Sequence, residues 1–253
     1  IIQNVDESKA ITCVGEEDEV KIGGERFLEF TARCCKEGIL PENCYCVRLY
    51  RTTYEGERLV NTTQVNYVDP LDRKQILEAD QELRHQMNII TDFLRKYVPG
   101  YEHCTIKTGA STLGIRESRR FSGKYVMNIS DLREARRFPD VVVHKAQFVV
   151  DIHNPVGGGQ ANGIAEYVDA YDIPWRSLVP QKMENLILAG RCISGTHEAM
   201  ASYRVMAIAM AIGEAAGIGA ALAIDHDVTP ENLDVKYIQK ALMDKGAVLF
   251  DEK

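Results

Sequence analysis

Two side chains in the C-terminal half of the sequence have the types and settings that acid–base chemistry and anion binding require. His153 follows an apolar run and precedes a proline and three glycines. Its imidazole is therefore expected in a crowded loop, where it either exchanges a proton or orients the loop. Arg176 lies between two prolines on a rigid segment, where a guanidinium either binds a substrate carboxylate through two hydrogen bonds or pairs internally with Glu184 or Asp172.

A second source of positive charge is the motif Gly-Ile-Arg-Glu-Ser-Arg-Arg at residues 114–120. Arg116 and Glu117 either pair with each other, or Arg116 is presented to a ligand. The cations from Arg116 to Lys124 predict a small-anion site or a solvated face, because the rest of the chain is acidic.

The elements that must position these groups meet at Gly190. The apolar residues 186–188 predict a buried strand, and Gly190 permits a tight exit from it. Residues 198–224 are almost free of charge and rich in Ala, Gly and Met, which predicts a long helix. Strand, turn and helix direct unpaired N–H groups at one point, and Arg191 and Arg204 add positive charge, which suits an anion or an electron-rich ring edge. The alternative is a helix buried between a sheet and another layer.

Several separated segments share an order with one known family. They are residues 114–125 (GIRESRRFSGKY), 151–157 (DIHNPVG), 173–180 (IPWRSLVP), 184–194 (ENLILAGRCIS), 197–199 (HEA) and 202–206 (SYRVM). Together they resemble the C-terminal part of the FAD-dependent oxidoreductases related to the fumarate reductase flavoproteins. The resemblance covers residues 110–250.

This resemblance implies FAD as the cofactor and hydride transfer between FAD and a small oxygenated or carboxylated substrate. It places the backbone N–H groups of Val205 and Met206 at the pyrimidine end of the flavin and His197 near the ring. Residues 199–201 then form the approach, and the helix begins near Ser202. The predicted catalytic residues are His153, Arg176, Arg116 and His197, and the predicted cofactor-binding residues are Gly190, Arg191, Ser202, Arg204, Val205 and Met206.

The resemblance also implies a fold, an α+β class derived from α/β proteins. Residues 1–172 are expected to form an inserted mixed-sheet substrate or cap domain, and residues 173–253 the C-terminal strand and helices of a split FAD-binding dinucleotide fold. The other half should contain Gly-x-Gly-x-x-Gly, which the sequence lacks, since the glycines at 157–159 and 217–219 do not follow a strand. The chain also begins at Ile1 rather than Met. We therefore expect a C-terminal piece of a longer flavoprotein that is inactive in isolation.

The composition excludes several classes of protein. The chain has 253 residues, a net charge of −7 and 26% charged residues, which argues against a nucleic-acid partner because binding phosphates needs a positive surface. Residues 205–224 are apolar enough to resemble a membrane span. Glu214 in their middle and their high Ala and Gly content favour a helix that is not in a membrane.

The seven cysteines are an odd number and no signal peptide precedes them, which predicts free thiols in a cytoplasmic, reducing compartment. Cys34, Cys35, Cys44 and Cys46 either approach across a hairpin to hold a metal or are buried structural thiols; their spacing matches none of the usual zinc pairs. Cys192 is either a thiol with a pKa lowered by a helix N-terminus or a small buried residue.

The remaining elements are predicted from turn and cap signals. They are a helix over 25–36 closed by Gly38, a hairpin of 44–53 and 58–68 with its turn at 54–56, and a helix to Tyr97 whose cap signal is Asp-Pro-Leu-Asp at 69–72. A strand-rich sheet over 104–171 facing the flavin follows, and a final helix over 231–245 has Thr229 as its cap and Gly246 at its end.

Two other functions remain open. The chain can be a binding or oligomerisation module without flavin, which uses the basic motif and the apolar helix. It can also be a metal-dependent hydrolase built on His153, His144 and the cysteines, although their spacing is not that of metal ligands. If the chain carries half of a split flavin site, its uncovered apolar helix should drive homodimerisation or aggregation of the isolated chain.

Overall fold

The computed structural model describes residues 1–15, 19–152 and 165–251. They form two compact units, Ile1–Ile115 and a second made of Arg116–Ile152 with residues 165–251. Both contain helices and small antiparallel sheets, so the predicted mixed α+β class is confirmed. The predicted domain boundary at 172/173 lies inside a strand of the second unit. As a boundary between an inserted domain and its host, it stays a prediction.

A four-stranded antiparallel sheet forms part of the first unit. In spatial order its strands are β4 (Arg48–Arg51), β5 (Arg58–Asn61), β1 (Ile2–Gln3) and β6 (Thr105–Ile106). The predicted hairpin is confirmed as β4 and β5, although both strands are shorter than the runs 44–53 and 58–68. In the turn between them Gly56 has φ +73°, a left-handed conformation that glycine adopts without steric cost.

The first unit also contains a two-stranded hairpin and two helices. The hairpin consists of β2 (Lys21–Ile22) and β3 (Glu25–Arg26), and the helices are α1 (Phe27–Lys36) and α2 (Arg73–Tyr97). The predicted start of α1 at Glu25 is two residues early, because Glu25 and Arg26 pair with β2. Helix α2 is confirmed with its cap, since the Asp72 carboxylate accepts a 2.8 Å hydrogen bond from the Lys74 N–H.

These helices and the sheet bury their apolar faces in one core. Its members include Ile2, Phe27, Leu49, Ile90, Phe93, Leu94 and Tyr101. The core also takes up Cys13, Cys34, Cys44 and Cys104. Small apolar thiols are common in protein interiors, so this burial needs no chemical role.

The second unit contains one pair of strands, β7 (Val141–Ala146) antiparallel to β8 (Tyr171–Pro174), and a short helix α3 (Ile129–Arg133). Within the described residues of 104–171 only β6, β7 and the first residue of β8 are strand, so the predicted strand-rich region is largely wrong there; residues 153–164 lie outside the description. Val150 makes only an isolated bridge to Glu166. Helix α3 was missed because it is short; its Asn128 and Asp131 form a reciprocal capping box.

Three helices complete the second unit: α4 (His197–Tyr203), α5 (Met206–Asp225) and α6 (Val235–Asp244). Residues 199–201 are helical, so their prediction as a non-helical approach is wrong; the Thr196 hydroxyl caps this turn. The long helix is interrupted where Val205 adopts an extended conformation, φ −73° and ψ 154°. The last helix starts later than predicted because Asp234, not Thr229, accepts from its first turn.

Helix α5 packs closely on the core through Gly219. A Cβ atom at this position would lie 2.3 Å from the ring of Trp175, so only glycine fits. The Trp175 indole in turn donates a 3.3 Å hydrogen bond to the carbonyl of Pro230. The core around them includes Val141, Ile173, Ile212, Ala215, Ile238 and Leu242.

The predicted buried strand at 186–188 is wrong. These residues are half-buried and irregular, and in the part of the chain that the structure describes no strand pairs with them. Leu188 donates one backbone hydrogen bond of 3.0 Å to Leu178. Three apolar residues are compatible with any buried segment, and pairing decides whether they become a strand. The Gly190 turn is confirmed, with φ +79°.

Candidate functional site

Asp151 joins two of the predicted site arginines. Its carboxylate lies 3.4 Å from the guanidinium of Arg116 and 2.9 Å from that of Arg204, which also donates a 2.8 Å hydrogen bond to the Asp151 carbonyl. Arg116 is half-exposed, whereas the Arg204 side chain is only 10% exposed. One carboxylate thus anchors an exposed guanidinium and a buried one.

The charge of Arg204 is held in an unfavourable setting. Burial lowers its pKa, the carboxylate of Asp151 opposes that effect, and the like charge of Arg191 adds to it. Arginine nevertheless stays protonated in proteins. Arg191 and Arg204 therefore place two positive charges near each other, as predicted.

Glu117 forms the second anchor. Its carboxylate accepts a hydrogen bond from Nδ1 of His197 at 2.6 Å and forms an ion pair with Arg120. His197 is the first residue of α4, and Arg116 precedes Glu117 in the basic motif. The structure thus joins the basic motif to the start of α4.

We call these groups together the basic cluster. It contains the arginines Arg116, Arg120, Arg191 and Arg204, the carboxylates Glu117, Asp151 and Glu198, and the imidazole of His197. Four guanidinium groups and three carboxylates leave one positive charge in excess before His197 is counted. An anionic or electron-rich ligand would find a favourable potential there.

The N-terminus of α5 immediately follows Arg204. Val205 provides no side-chain cap, and the side chain of Met206 is 83% exposed. The first N–H groups of any helix have no partner within it, and the helix dipole makes this end positive. Because the helical run is interrupted at Val205, a new helix begins at Met206, and its unpaired backbone N–H groups lie beside the basic cluster.

The other predicted cofactor residues differ in accessibility. Gly190 is open, since a Cβ built there would meet nothing within 4 Å. Ser202 is fully buried: its hydroxyl lies 2.8 Å from the Tyr171 hydroxyl and donates a 2.6 Å bond to the Phe148 carbonyl. Its hydrogen bonds connect elements of the second unit, and its role in FAD binding stays a prediction.

Arg176 has a partner that the sequence did not indicate. It forms two hydrogen bonds with Asp140, of 2.9 and 3.1 Å, and lies over the ring of Tyr125. The internal partners proposed from sequence, Glu184 and Asp172, are thus replaced by Asp140. Asp140 raises the pKa of Arg176, so the guanidinium is firmly charged. His153 lies outside the described residues.

The cysteines and His144, which a metal site would use, are mostly buried. All seven cysteines are free thiols, and burial raises the pKa of Cys35 to about 12 and that of Cys44 to about 11. His144 is buried with Nδ1 2.8 Å from the Asp172 carboxylate. Among residues 1–15, 19–152 and 165–251 no three ligand-type side chains come together to hold a metal ion. Cys192 donates to the Ala189 carbonyl at 3.4 Å.

A family model for FAD dependent oxidoreductases matches residues 2–242. The chain belongs to this family. FAD is therefore its cofactor. The match extends over almost the whole chain, well beyond the motifs between 110 and 250 that sequence reading found. No curated protein and no solved structure matches the chain.

Two observations show that the cluster fits part of this cofactor. Flavins carry electron-rich ring edges and, in FAD, phosphates, for which the unpaired N–H groups at the start of α5 and the excess positive charge are suitable. The open position beside Gly190 leaves space for close backbone approach. The Gly-rich phosphate motif is missing from the printed sequence, so the fit concerns one end of FAD only.

Sequence reading missed Asp151 and the pairing of Glu117 with His197. The i, i+3 spacing of Glu117 and Arg120 was a signal for their ion pair. Asp151 opens the motif at 151–157. Its acidic side chain directly after the apolar residues 148–150 is the signal that could have identified it. The pairing of Glu117 with a residue eighty positions away had no local signal.

Proposed function

We propose that this chain is the substrate-binding and flavin-ring-binding part of an oxidoreductase that transfers hydride between FAD and a small oxygenated or carboxylated substrate. The observation that carries the proposal is the uncapped start of α5 beside Arg204 and Arg191 within the basic cluster. FAD supplies the electron-pair acceptor or donor, and the protein supplies orientation, charge and a proton-transfer group.

The proposed cofactor residues are Gly190, Arg191, Ser202, Arg204, Val205 and Met206. Within this set, the backbone of Val205 and Met206 would meet the ring, while the two arginines would offset negative charge that develops there. Their support is the exposed, uncapped helix start and the electrostatic proximity of Arg191 and Arg204.

The proposed substrate residues are Arg116, Arg176, His197 and His153. Arg116 and Arg176 are each about half-exposed and are anchored by Asp151 and Asp140 respectively. An anchored guanidinium loses little freedom when it binds a carboxylate, which favours recognition of an anionic substrate. His197 presents an exposed imidazole to exchange a proton.

We further propose that the phosphate-binding half of the dinucleotide fold is supplied by sequence other than these 253 residues, as in flavoproteins related to fumarate reductase. The support is the missing Gly-x-Gly-x-x-Gly motif. The chain alone would then be inactive. We place the protein in the cytoplasm, without nucleic-acid or membrane partners.

The flavin absorption spectrum tests these proposals. We expect the full gene product to purify yellow and the isolated chain to stay colourless after FAD is added. A yellow isolated chain would contradict the split cofactor site, and two colourless samples would contradict flavin chemistry altogether.

A matched pair of arginine variants tests the basic cluster in the full gene product. We expect Arg204→Gln to weaken FAD binding roughly 10- to 100-fold, because a hydrogen-bonded charge is lost beside the flavin. The control is Arg84→Gln, whose exposed ion pair with Asp80 lies in the first unit. Circular dichroism of both variants checks folding. Equal affinity of the two variants for FAD would remove Arg204 from the site.

A second candidate function, a homodimerisation module, is favoured by one face of α5. Its exposed residues include Met206, Met210, Gly213, Gly217 and Ile224. The helix is long and apolar enough to cross a membrane, with a mean hydropathy of 1.9, and 28% of its most apolar window is buried. Exposed Glu214 and the small residues favour close approach of protein rather than lipid.

Sedimentation of the isolated chain separates these functions. If α5 forms a dimer, Met210→Glu should yield monomers, whereas Met183→Glu, at an exposed position elsewhere in the second unit, should not. A wild-type monomer at all concentrations would contradict the dimerisation module.

A further inference from the structure

The contact between Glu117 and His197 defines the chemistry of the imidazole. Oε2 of Glu117 lies 2.6 Å from Nδ1 of His197. An ionised carboxylate only accepts hydrogen bonds, so Nδ1 must carry a proton. Nε2 is on the opposite side of the ring and makes no hydrogen bond with any residue that the structure describes.

We propose that Glu117 is a positioning residue that holds His197 in the Nδ1–H tautomer, so that Nε2 exchanges a proton with the substrate. This inference rests on the proposed oxidoreductase function. It extends that function by assigning Glu117 a role and by naming the nitrogen that handles the proton. A carboxylate that bonds one imidazole nitrogen fixes the reactivity of the other.

The surroundings of Glu117 restrict its carboxylate. Arg120 forms an ion pair with Oε1, which leaves Oε2 directed at His197. The histidine is fixed from its own side because it begins α4, where the hydroxyl of Thr196 caps the first turn. Two fixed ends hold a ring whose side chain is 52% exposed.

Stability alone is a weak reason for this arrangement. An exposed ion pair contributes about 0–1 kcal/mol, so little is gained by orienting a half-exposed imidazole. The pair is located within the basic cluster, and His197 begins α4, the segment that leads into α5. Its position therefore agrees better with proton transfer than with support of the fold.

The proton balance of an alcohol oxidation illustrates the role. FAD, when bound, would accept the electron pair of the substrate C–H bond as hydride, while Nε2 of His197 would take the O–H proton as the C=O bond forms. The ring then carries protons on both nitrogens, and Glu117 faces the resulting cation. Reduction runs the same transfers backward, with Nε2 returning the proton to the oxygen.

Nitrogen NMR of the full gene product, labelled with ¹⁵N-histidine, tests this role. The imidazole shifts are measured at a pH well above the ordinary histidine pKa, where the tautomers are distinct. His197→Gln identifies its signals among the six histidines of this chain. We expect wild-type His197 to be the Nδ1–H tautomer.

Three variants separate the hydrogen bond from the charge. Glu117→Ala should shift His197 to the Nε2–H tautomer, whereas Glu117→Gln, which keeps an acceptor oxygen, should retain Nδ1–H. Glu198→Ala removes a neighbouring negative charge without this contact and should also retain Nδ1–H. A structural role for Glu117 would leave the tautomer unchanged in all three.

The wild-type spectrum decides even if Glu117→Ala does not fold. An Nε2–H tautomer in wild-type protein, or an unchanged tautomer in folded Glu117→Ala, would overturn the inference. A yellow protein with Nε2–H contradicts this inference alone. A protein that stays colourless with added FAD but shows Nδ1–H contradicts the proposed function instead.

Discussion

The two units treat buried arginine in opposite ways. In the first unit Arg58 is 1% exposed, and both its terminal nitrogens bond one carboxylate, Glu7, at 2.6 and 2.7 Å. In the second unit Arg204 is also largely buried, but it shares Asp151 with Arg116 and lies near Arg191. Glu7 raises the pKa of Arg58 through its hydrogen bonds, although its carboxylate also lies 3.9 Å from the exposed Arg51. Burial lowers the pKa of Arg204, and the like charge of Arg191 adds to that effect.

The two faces of α5 also differ, in how closely other residues pack against them. Gly219 is in contact with Trp175, whereas Cβ atoms at Gly213 and Gly217 would meet nothing within 4 Å. Glycine within a helix costs roughly 0.5–1 kcal/mol relative to alanine. The inner glycine is explained by the close packing of the fold, and the outer ones are explained only if another backbone or a flat ligand approaches.

Breaking the ion pair between Arg58 and Glu7 in the first unit should have the largest effect on the stability of the protein. Arg58→Met leaves the Glu7 carboxylate without its main partner, and we expect the free energy of unfolding to fall by about 3 kcal/mol. Urea unfolding measures the change. The control is Arg133→Met, which breaks the exposed pair with Glu166 and should change stability by less than about 1 kcal/mol. Equal losses would mean that Arg58 is no more important than a surface residue.

Acid titration sharpens the same comparison. The hydrogen bond from Arg58 lowers the pKa of Glu7 from 4.5 to about 2 in the folded protein. Since the folded pKa is the lower one, the stabilisation is fully present above pH 4.5 and is lost as the pH falls toward 2. Urea unfolding across this window should show a decline in stability that is smaller in Arg58→Met, while carboxylates such as Asp72 and Glu166, whose pKa values are also lowered, continue to contribute to it. The same decline in the variant would assign it to other carboxylates.

Local sequence signals predicted well those elements whose contacts are between residues close in sequence. The Asp72 cap fixed the start of α2, and the turn at Gly56 fixed the hairpin, because each depends on residues close in sequence. Membership of the FAD-dependent oxidoreductases was predicted from motifs within residues 114–206 and is confirmed by the match over 2–242, while the relation to the fumarate reductase flavoproteins stays a prediction. Arg191 and Arg204 were predicted to add positive charge at the same place, and their guanidinium groups lie close enough for the two charges to interact.

The features that were predicted wrongly or missed depend on contacts between residues far apart in sequence, which no local pattern contains. Among the described residues no strand pairs with the apolar run at 186–188, and an extended Val205 interrupts the long helix. Asp140 and Asp151 reach their arginines across 36 and 53 residues. Such pairings are decided by tertiary packing, which overrides short-range preference.

A pair of glycine variants tests the two faces of α5 with the smallest expected effects. Gly219→Ala should destabilise the protein by about 2 kcal/mol, because its Cβ would lie 2.3 Å from Trp175 and the ring must move. Gly217→Ala enters open space on the same helix and should stabilise the monomer by up to about 1 kcal/mol through higher helix propensity. Thermal unfolding of dilute samples compares them.

If Gly217→Ala instead destabilises the protein, the outer face is already packed against another backbone, and the contrast between the two faces disappears. If it stabilises the monomer but weakens self-association or flavin binding, the outer glycine is retained for a partner and not for the fold.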